Sequence, residues 1–382
     1  MMMKTVFIIL IFLQLSLIAA DKGGDEVDHV ALAALLMKDG HYARAAETLN
    51  SADTTKEDFD FVMFYTLKGL VFTKQQLYKV ANEEFTKAIE KGQTEPSIYL
   101  YIAQNSFKLH EYKESLQALD SAGALASSKP QLLALRAECH WKLEEKDTAL
   151  NTLSEALQKF PKYAAFYKQR FNYFVALELY QSAFEDADAY LSMAEPNVKT
   201  YLSFVGALRK SGALVKATKL AERGNLLFLE SADMTVILAH LYLDQEMIHA
   251  AADLFDEASI EDPKYTKEAA ETLRRAREFI QALYKNAQLI NTKEKYKQRI
   301  AIYLEFGDYE RVVATANALH RSGVIEDENI RYALAYAYYM TGNFEKSEQE
   351  IQELSRPELF EKATKLRKNM EKCQNNAWEC QL

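Results

Sequence analysis

Seven histidines, His29, His41, His110, His140, His240, His249 and His320, are where a search for acid–base or metal chemistry begins. They are scattered, and no H-E-x-x-H pairs any of them for zinc. The chain has no Gly-rich phosphate loop and no G-x-S-x-G nucleophile elbow. Cys139 and His140 are adjacent, but neighbours on a helix point to different faces, so the pair reads as packing. The carboxylates read as the solvated side of helices. The only dense basic spot, Arg274, Arg275 and Arg277, reads as one solvated helix face rather than an anion site. The sequence shows no catalytic constellation, cofactor motif or metal set, which points away from an enzyme.

The ends and the charge narrow the setting. Lys4 precedes an apolar run from Val6 to Ala20, too short for a membrane span and of the length of a secretory signal. Residues 1–20 are therefore expected to be a signal peptide cleaved after Ala19 or Ala20, with a retained N-terminal anchor as the alternative. Residues 21–28 form an acidic, glycine-containing leader. Loss of Lys4 takes 46 basic residues to 45 against 55 acids, a mature net charge of −10, which disfavours nucleic acid as a partner. No other stretch approaches membrane length. The expected location is exported, periplasmic in a bacterium, with secretion or anchoring as alternatives. Cys373 and Cys380 bracket a short polar tail, and an oxidising compartment favours their pairing, contributing about 2–3 kcal/mol by loop entropy. Cys139 is left over, a small apolar residue on a helix.

Between the ends, the chain is a helix former: 49% hydrophobic, with only 12 glycines and 6 prolines in 382 residues. Small residues recur with a fixed rhythm. Taking one small residue as an anchor and looking twelve and nineteen residues ahead gives Ala33, Ala45, Ala52; Gly69, Ala81, Ala88; Ala103, Ser115, Ala122; and Ala137, Ala149, Ala156. The best copy spans Ala232–Pro263, with Ala239, Ala251 and Ala258. Large residues keep step: Leu36 with Leu49, Phe72 with Phe85, Tyr242 with Phe255. An aromatic stands three before the middle small residue at Tyr42, Tyr78, Tyr112, Tyr180, Tyr309 and Phe344. Such rows meet when two amphipathic helices pack antiparallel, small residues letting the axes approach. All six prolines fall between the expected helices.

These residues resemble the tetratricopeptide repeat, a helix–turn–helix of 34 residues. The resemblance covers about residues 28–354 and implies an all-α, right-handed α-solenoid of about nine repeats. Repeats 1–7 are expected over 29–263 and repeats 8–9 over 293–356. Degenerate copies include Phe171, Ala183, Tyr190; Gly206, Ala217, Gly224; Ile300, Val312, Leu319; and Ala335, Ser347, Leu354. Residues 264–292 break the rhythm: Ala239 to Ile300 is 27 residues more than one period. Its stripe of Ala269, Leu273, Ala276, Ile280 and Leu283 fits either one long linking helix or a worn repeat, and either implies lobes of seven and two repeats. Residues 357–382 are expected to form a capping helix on Leu359, Ala363 and Leu366, followed by the Cys-bracketed tail.

The resemblance also implies a task. In the family the first helices line a concave groove that binds proteins or peptides, and its groove positions map here onto Gln104, Phe107, Glu138, Trp141, Lys168, Asn172, Val175, His240 and Leu243. Trp141 stands out, because Trp is over-represented in binding hot spots; end-packing between helices is the other reading. Lys168 and Asn172 match the first two residues of the family's carboxylate clamp, but Phe204, Asp233 and Ile237 do not match the rest, so that clamp is not expected. The leading expectation is an exported scaffold binding a protein or peptide in its groove. The alternatives are a structural subunit of an envelope assembly (secretion, motility or outer-membrane machinery) and a cell-wall or glycan-binding module, suggested by 22 Tyr and 20 Phe.

Overall fold

The computed structural model describes residues 27–193 and 195–375. The apolar N-terminal run and Cys380 lie outside the described residues. Among the described residues every regular element is helical, and no helix is long and apolar enough to cross a membrane.

The chain forms two compact units, divided at Ala194/Glu195. In the first, α1 (His29–Lys38) turns back on α2 (Tyr42–Asn50), and α3 (Phe61–Lys74) on α4 (Tyr78–Glu90). Next come α5 (Ser97–Lys108) with α6 (Tyr112–Ser121) and the short α7 (Ala124–Ser128), then α8 (Pro130–Lys142) with α9 (Lys146–Lys159), and α10 (Ala164–Ala176) with α11 (Tyr180–Met193). The second unit pairs α12 (Val198–Lys210) with α13 (Leu214–Leu227), α14 (Ala232–Asp244) with α15 (Ile248–Glu261), and α16 (Thr266–Arg275) with α17 (Phe279–Ala287). There α18 (Thr292–Phe306) pairs with α19 (Tyr309–Ala314) and α20 (Ala316–Arg321), α21 (Glu328–Met340) pairs with α22 (Phe344–Gln352), and α23 (Pro357–Asn375) closes the unit.

One device makes all ten hairpins. Five residues before each middle small residue the backbone turns left-handed, with φ between 61° and 83°, at Gly40, Gln76, His110, Glu144, Glu178, Gly212, Glu246, Arg277, Gly307 and Gly342. The N–H of the following residue donates to the carbonyl four residues behind the left-handed one at 2.8–2.9 Å, as in Leu77 to Phe72 and Glu278 to Leu273. This capping bond occupies an otherwise orphaned helix carbonyl and sends the chain back antiparallel.

The recurring small residues sit where the paired helices touch. Ala33, Ala45, Ala81, Ala103, Ser115, Ala137, Ala149, Ala239 and Ala251 are wholly buried. Ser115 Oγ donates to the carbonyl of Ala103 at 2.8 Å, and Ser347 Oγ to that of Ala335 at 2.8 Å, so only a small side chain separates the axes. At Gly69 not even a methyl fits: an added Cβ would stand 2.5 Å from the buried Phe85 ring.

Residues 264–292 are not one long helix. They fold as the hairpin of α16 and α17, with Arg277 as its left-handed residue and Ala282 as its middle small residue. The single stripe expected there breaks at this turn: Ala269, Leu273 and Ala276 are buried, whereas Ile280 is exposed. The face that α17 buries carries Ala282, Lys285 and Asn286 instead. Helix α16 packs on α15 and α17 on α18, so stacking continues through this segment, and the division of the chain falls at Ala194/Glu195 instead. Leu359, Ala363 and Leu366 of α23 are buried against α21 and α22.

Within each unit, several first helices approach the first helix of the next hairpin closely (α1 on α3, α3 on α5, α12 on α14), whereas second helices such as α15 and α17 meet through long side chains. The first helices therefore form the inner face of each stack.

Candidate functional site

Seven of the expected groove residues lie in the first unit, on α5, α8 and α10. Gln104 and Phe107 lie half-buried on α5, with the Phe107 ring 5.6 Å from that of Tyr112. On α8, Trp141 is half-buried and lies flat on Tyr173 of α10, ring centroids 4.0 Å apart and planes within 2°. The Lys146 ammonium stands 5.4 Å from the Trp141 ring centre. Glu138, one turn before Trp141, accepts from Tyr173 Oη at 2.6 Å and from Gln169 Nε2 at 3.3 Å, and lies 3.5 Å from Lys142 Nζ. Gln169 also donates to Tyr173 Oη at 2.7 Å and to the Ala134 carbonyl at 3.0 Å.

This network joins two of the expected residues, Glu138 and Trp141, to two that the sequence reading did not select, Gln169 and Tyr173. A signal existed for Tyr173. It stands two residues after the anchor Phe171, where the two preceding hairpins place Asn105 and Cys139, all three buried. A large phenol at that position must reach across to the neighbouring helix and find a partner for its hydroxyl. Burial, then the adjacent Glu138 carboxylate, push the Tyr173 phenol far above its ordinary range, so it stays a neutral donor. Lys168 and Asn172 do not join this cluster. Lys168 stands over the Tyr190 ring of α11 at 6.0 Å, and Asn172 is exposed.

His240 belongs to the second unit, on α14, edge-on to Phe255 at 5.2 Å between ring centres. Burial, reinforced by the Arg209 cation, lowers the pKa of its imidazole. Arg209 bridges to Asp244 with bonds of 2.5 and 3.1 Å, setting an ion pair beside the neutral imidazole between α12 and α14.

Elsewhere the reactive-looking residues are held in packing roles. Cys139 is buried, donates to Ser115 Oγ at 3.3 Å, and burial pushes its thiol up to about 11, so no thiolate forms near neutrality. His140 turns away to Glu145 at 2.6 Å, so the adjacent pair diverges. Arg274 is occupied by Glu271 and Glu305, while Arg275 is exposed and Arg277 is the turn residue. Among the described residues no group of three His, Cys, Asp or Glu is placed to hold a metal ion. Cys373 is disulfide-bonded and Cys139 is free; Cys380 lies outside the described residues.

The repeated turn and the buried small residues give the architecture. The fold is that of the tetratricopeptide repeat. No family model and no curated protein matches the sequence. Among solved structures, the chain is similar to YrrB, described as a TPR protein with an unusual peptide-binding site: 20% identity, 49% of this chain, 92% of that one, TM-score 0.41. It is also similar to the C-terminal part of a TPR repeat-containing protein from Cytophaga hutchinsonii, at 15% identity over 62% of this chain and 94% of that one, TM-score 0.45. A tetratricopeptide repeat protein from Parabacteroides merdae gives 16% identity over 64% and 97%, TM-score 0.44.

Proposed function

We propose that the chain is a non-catalytic scaffold that holds a peptide segment of another protein on the inner face of its first unit. The observation that carries this reading is the half-buried Trp141 lying flat on Tyr173, bracketed by Glu138, Lys142 and Lys146. A rigid aromatic pair with charges of both signs at its edge gives contact area at low entropic cost and polar groups to fix orientation. The Glu138–Tyr173–Gln169 network locks the pair before any ligand arrives, so little ordering is left to be spent on binding. Asn172 and Gln104 supply further polar contacts on the same face.

The same reading places the protein outside the cytoplasm, on the strength of Lys4 and the run Val6–Ala20. Sequencing of the mature N-terminus is expected to find Ala20 or Asp21 first, and an intact Met1 in the membrane fraction refutes cleavage. The binding surface is tested by photo-crosslinking. A crosslinking side chain at Asn172 is expected to capture a partner that one at Glu155, exposed on α9 of the opposite side, does not. Trp141→Ala should weaken that capture with the helical circular dichroism unchanged. Capture from Glu155 alone, or capture indifferent to Trp141→Ala, refutes the assignment.

A further inference from the structure

The second unit carries an open pocket on the opposite side, where second helices meet solvent. It holds about 430 Å³ between α15 and α17, lined by Ile260, Pro263 and Tyr284 with the amides of Gln281 and Gln288. Ile260 is 69% exposed, Tyr284 68%, and Ile280, one turn before Tyr284, 65%. Two large apolar side chains left in water at the wall of the concavity, with a third, Ile280, beside it on the same helix as Tyr284, are the mark of a partner surface.

The floor and the rim limit what that partner is. Lys285 closes the floor, buried, with its ammonium 2.8 Å from Asp256 Oδ1 and donating to Ser259 Oγ at 2.9 Å and to the Asp256 carbonyl at 3.3 Å. Those three partners use the donors of the ammonium, so the floor does not attract an anion. The nearby Lys264 is likewise held by Asp262 and Asp233. On α15, Asp253, Glu257 and Glu261 share the face of Ile260 by helical spacing; all three are exposed, and none forms an ion pair among the described residues. The unpaired charge beside Ile260 on α15 is therefore negative.

We infer that this pocket docks a basic amphipathic segment of a partner protein. An apolar side chain of the segment enters between Ile260, Pro263 and Tyr284, and its Lys or Arg residues face Asp253, Glu257 and Glu261. Nucleic acids and acidic membranes are repelled by the same carboxylates. A second copy meeting this face by two-fold symmetry sets the carboxylates against themselves.

The inference is independent of the inner-face reading and is tested separately. The full chain is titrated against a fluorescein-labelled helical peptide with Leu at three- and four-residue spacing between Lys, and against the same peptide with Glu for Lys. The lysine peptide is expected to bind, and Tyr284→Ala or Ile260→Ser to weaken it about ten-fold, as for loss of an apolar anchor. Glu257→Lys with Glu261→Lys should weaken it about as much and flatten its salt dependence. Asn172→Arg on the inner face leaves this binding unchanged. Because the substituted side chains are exposed, each variant is expected to keep the parent's thermal midpoint. Equal binding of the glutamate peptide, equal binding by all variants, or no binding by the parent overturns the assignment. A dimer in sedimentation that Tyr284→Ala dissociates overturns it in favour of self-association.

Discussion

The hairpin that the 34-residue rhythm misses can be tested through its turn. Arg277 holds φ 63° in the connection between α16 and α17, a region that costs an L-residue about 1–2 kcal/mol. Its side chain is exposed and makes no hydrogen bond or ion pair among the described residues, so truncation removes no contact. Arg277→Gly relieves the backbone cost, and the greater unfolded-state freedom of glycine takes back about 0.5–1 kcal/mol. The net expectation is a gain of roughly 0.5–1 kcal/mol, local to this hairpin because each repeat is stabilised by its neighbours. The appropriate assay is native-state hydrogen exchange, since a two-unit chain does not guarantee a single unfolding transition. Amides of α16 and α17 should exchange about two- to five-fold more slowly, with those of α3 and α4 unchanged. The opposite change at an equivalent turn, Gly307→Ala at φ 78°, should destabilise α18 and α19 by about 1–2 kcal/mol. If Arg277→Gly leaves exchange in α16 and α17 unchanged or speeds it, the shared turn geometry is wrong for this hairpin.

Three further expectations concern the packing and the candidate site. Tyr173→Phe keeps the ring under Trp141 but removes the hydroxyl that bonds Glu138 and Gln169, and should cost the first unit about 1–3 kcal/mol in urea unfolding; an unchanged midpoint means the network adds nothing. Gly69→Ala gains about 1 kcal/mol of helix propensity yet drives a methyl against Phe85, where overpacking costs about 1–3 kcal/mol. Net destabilisation is expected, and a raised melting temperature would show that the Phe85 ring gives way freely. For His240, burial followed by the Arg209 cation sets the folded pKa below the ordinary 6.5. The unfolded chain then takes up a proton that the folded chain resists, so stability of the second unit is full above 6.5 and declines as the pH falls from there toward the folded value. His240→Gln should remove that part of the slope in unfolding free energy measured between about pH 7.5 and 5.5, and an identical slope in the variant excludes this residue as its source.

How much of this was legible depended on whether a residue's role was periodic. Ala33 with Ala45, Ala103 with Ser115 and Ala239 with Ala251 repeat at a fixed offset, because two helices can approach only where both sides are small, and such pairs announce themselves in one dimension. The hairpin at 264–292 stayed one of two readings because its middle residue Ala282 follows Ala251 by 31 residues and precedes Val312 by 30, short of the usual 34. Its left-handed residue is Arg277, where four other turns show a telltale glycine. Turn geometry shared by Gly40, Glu144 and Arg277 carries no common residue type, since six of the ten turns bear the strain without glycine.

The candidate site divides along the same line. Read through its resemblance to the repeat family, the sequence implied groove positions for Glu138 and Trp141, one and four residues after the anchor Ala137. Only the tertiary structure decided that both meet Tyr173 and Gln169, and that Lys168 turns instead toward Tyr190. It alone exposed Ile260 and Tyr284 on one pocket, with Ile280 beside them on α17. Periodicity within a helix sets the direction of a side chain. What waits in that direction depends on the rotation and approach of the neighbouring helix, which is fixed by packing between residues some thirty positions apart.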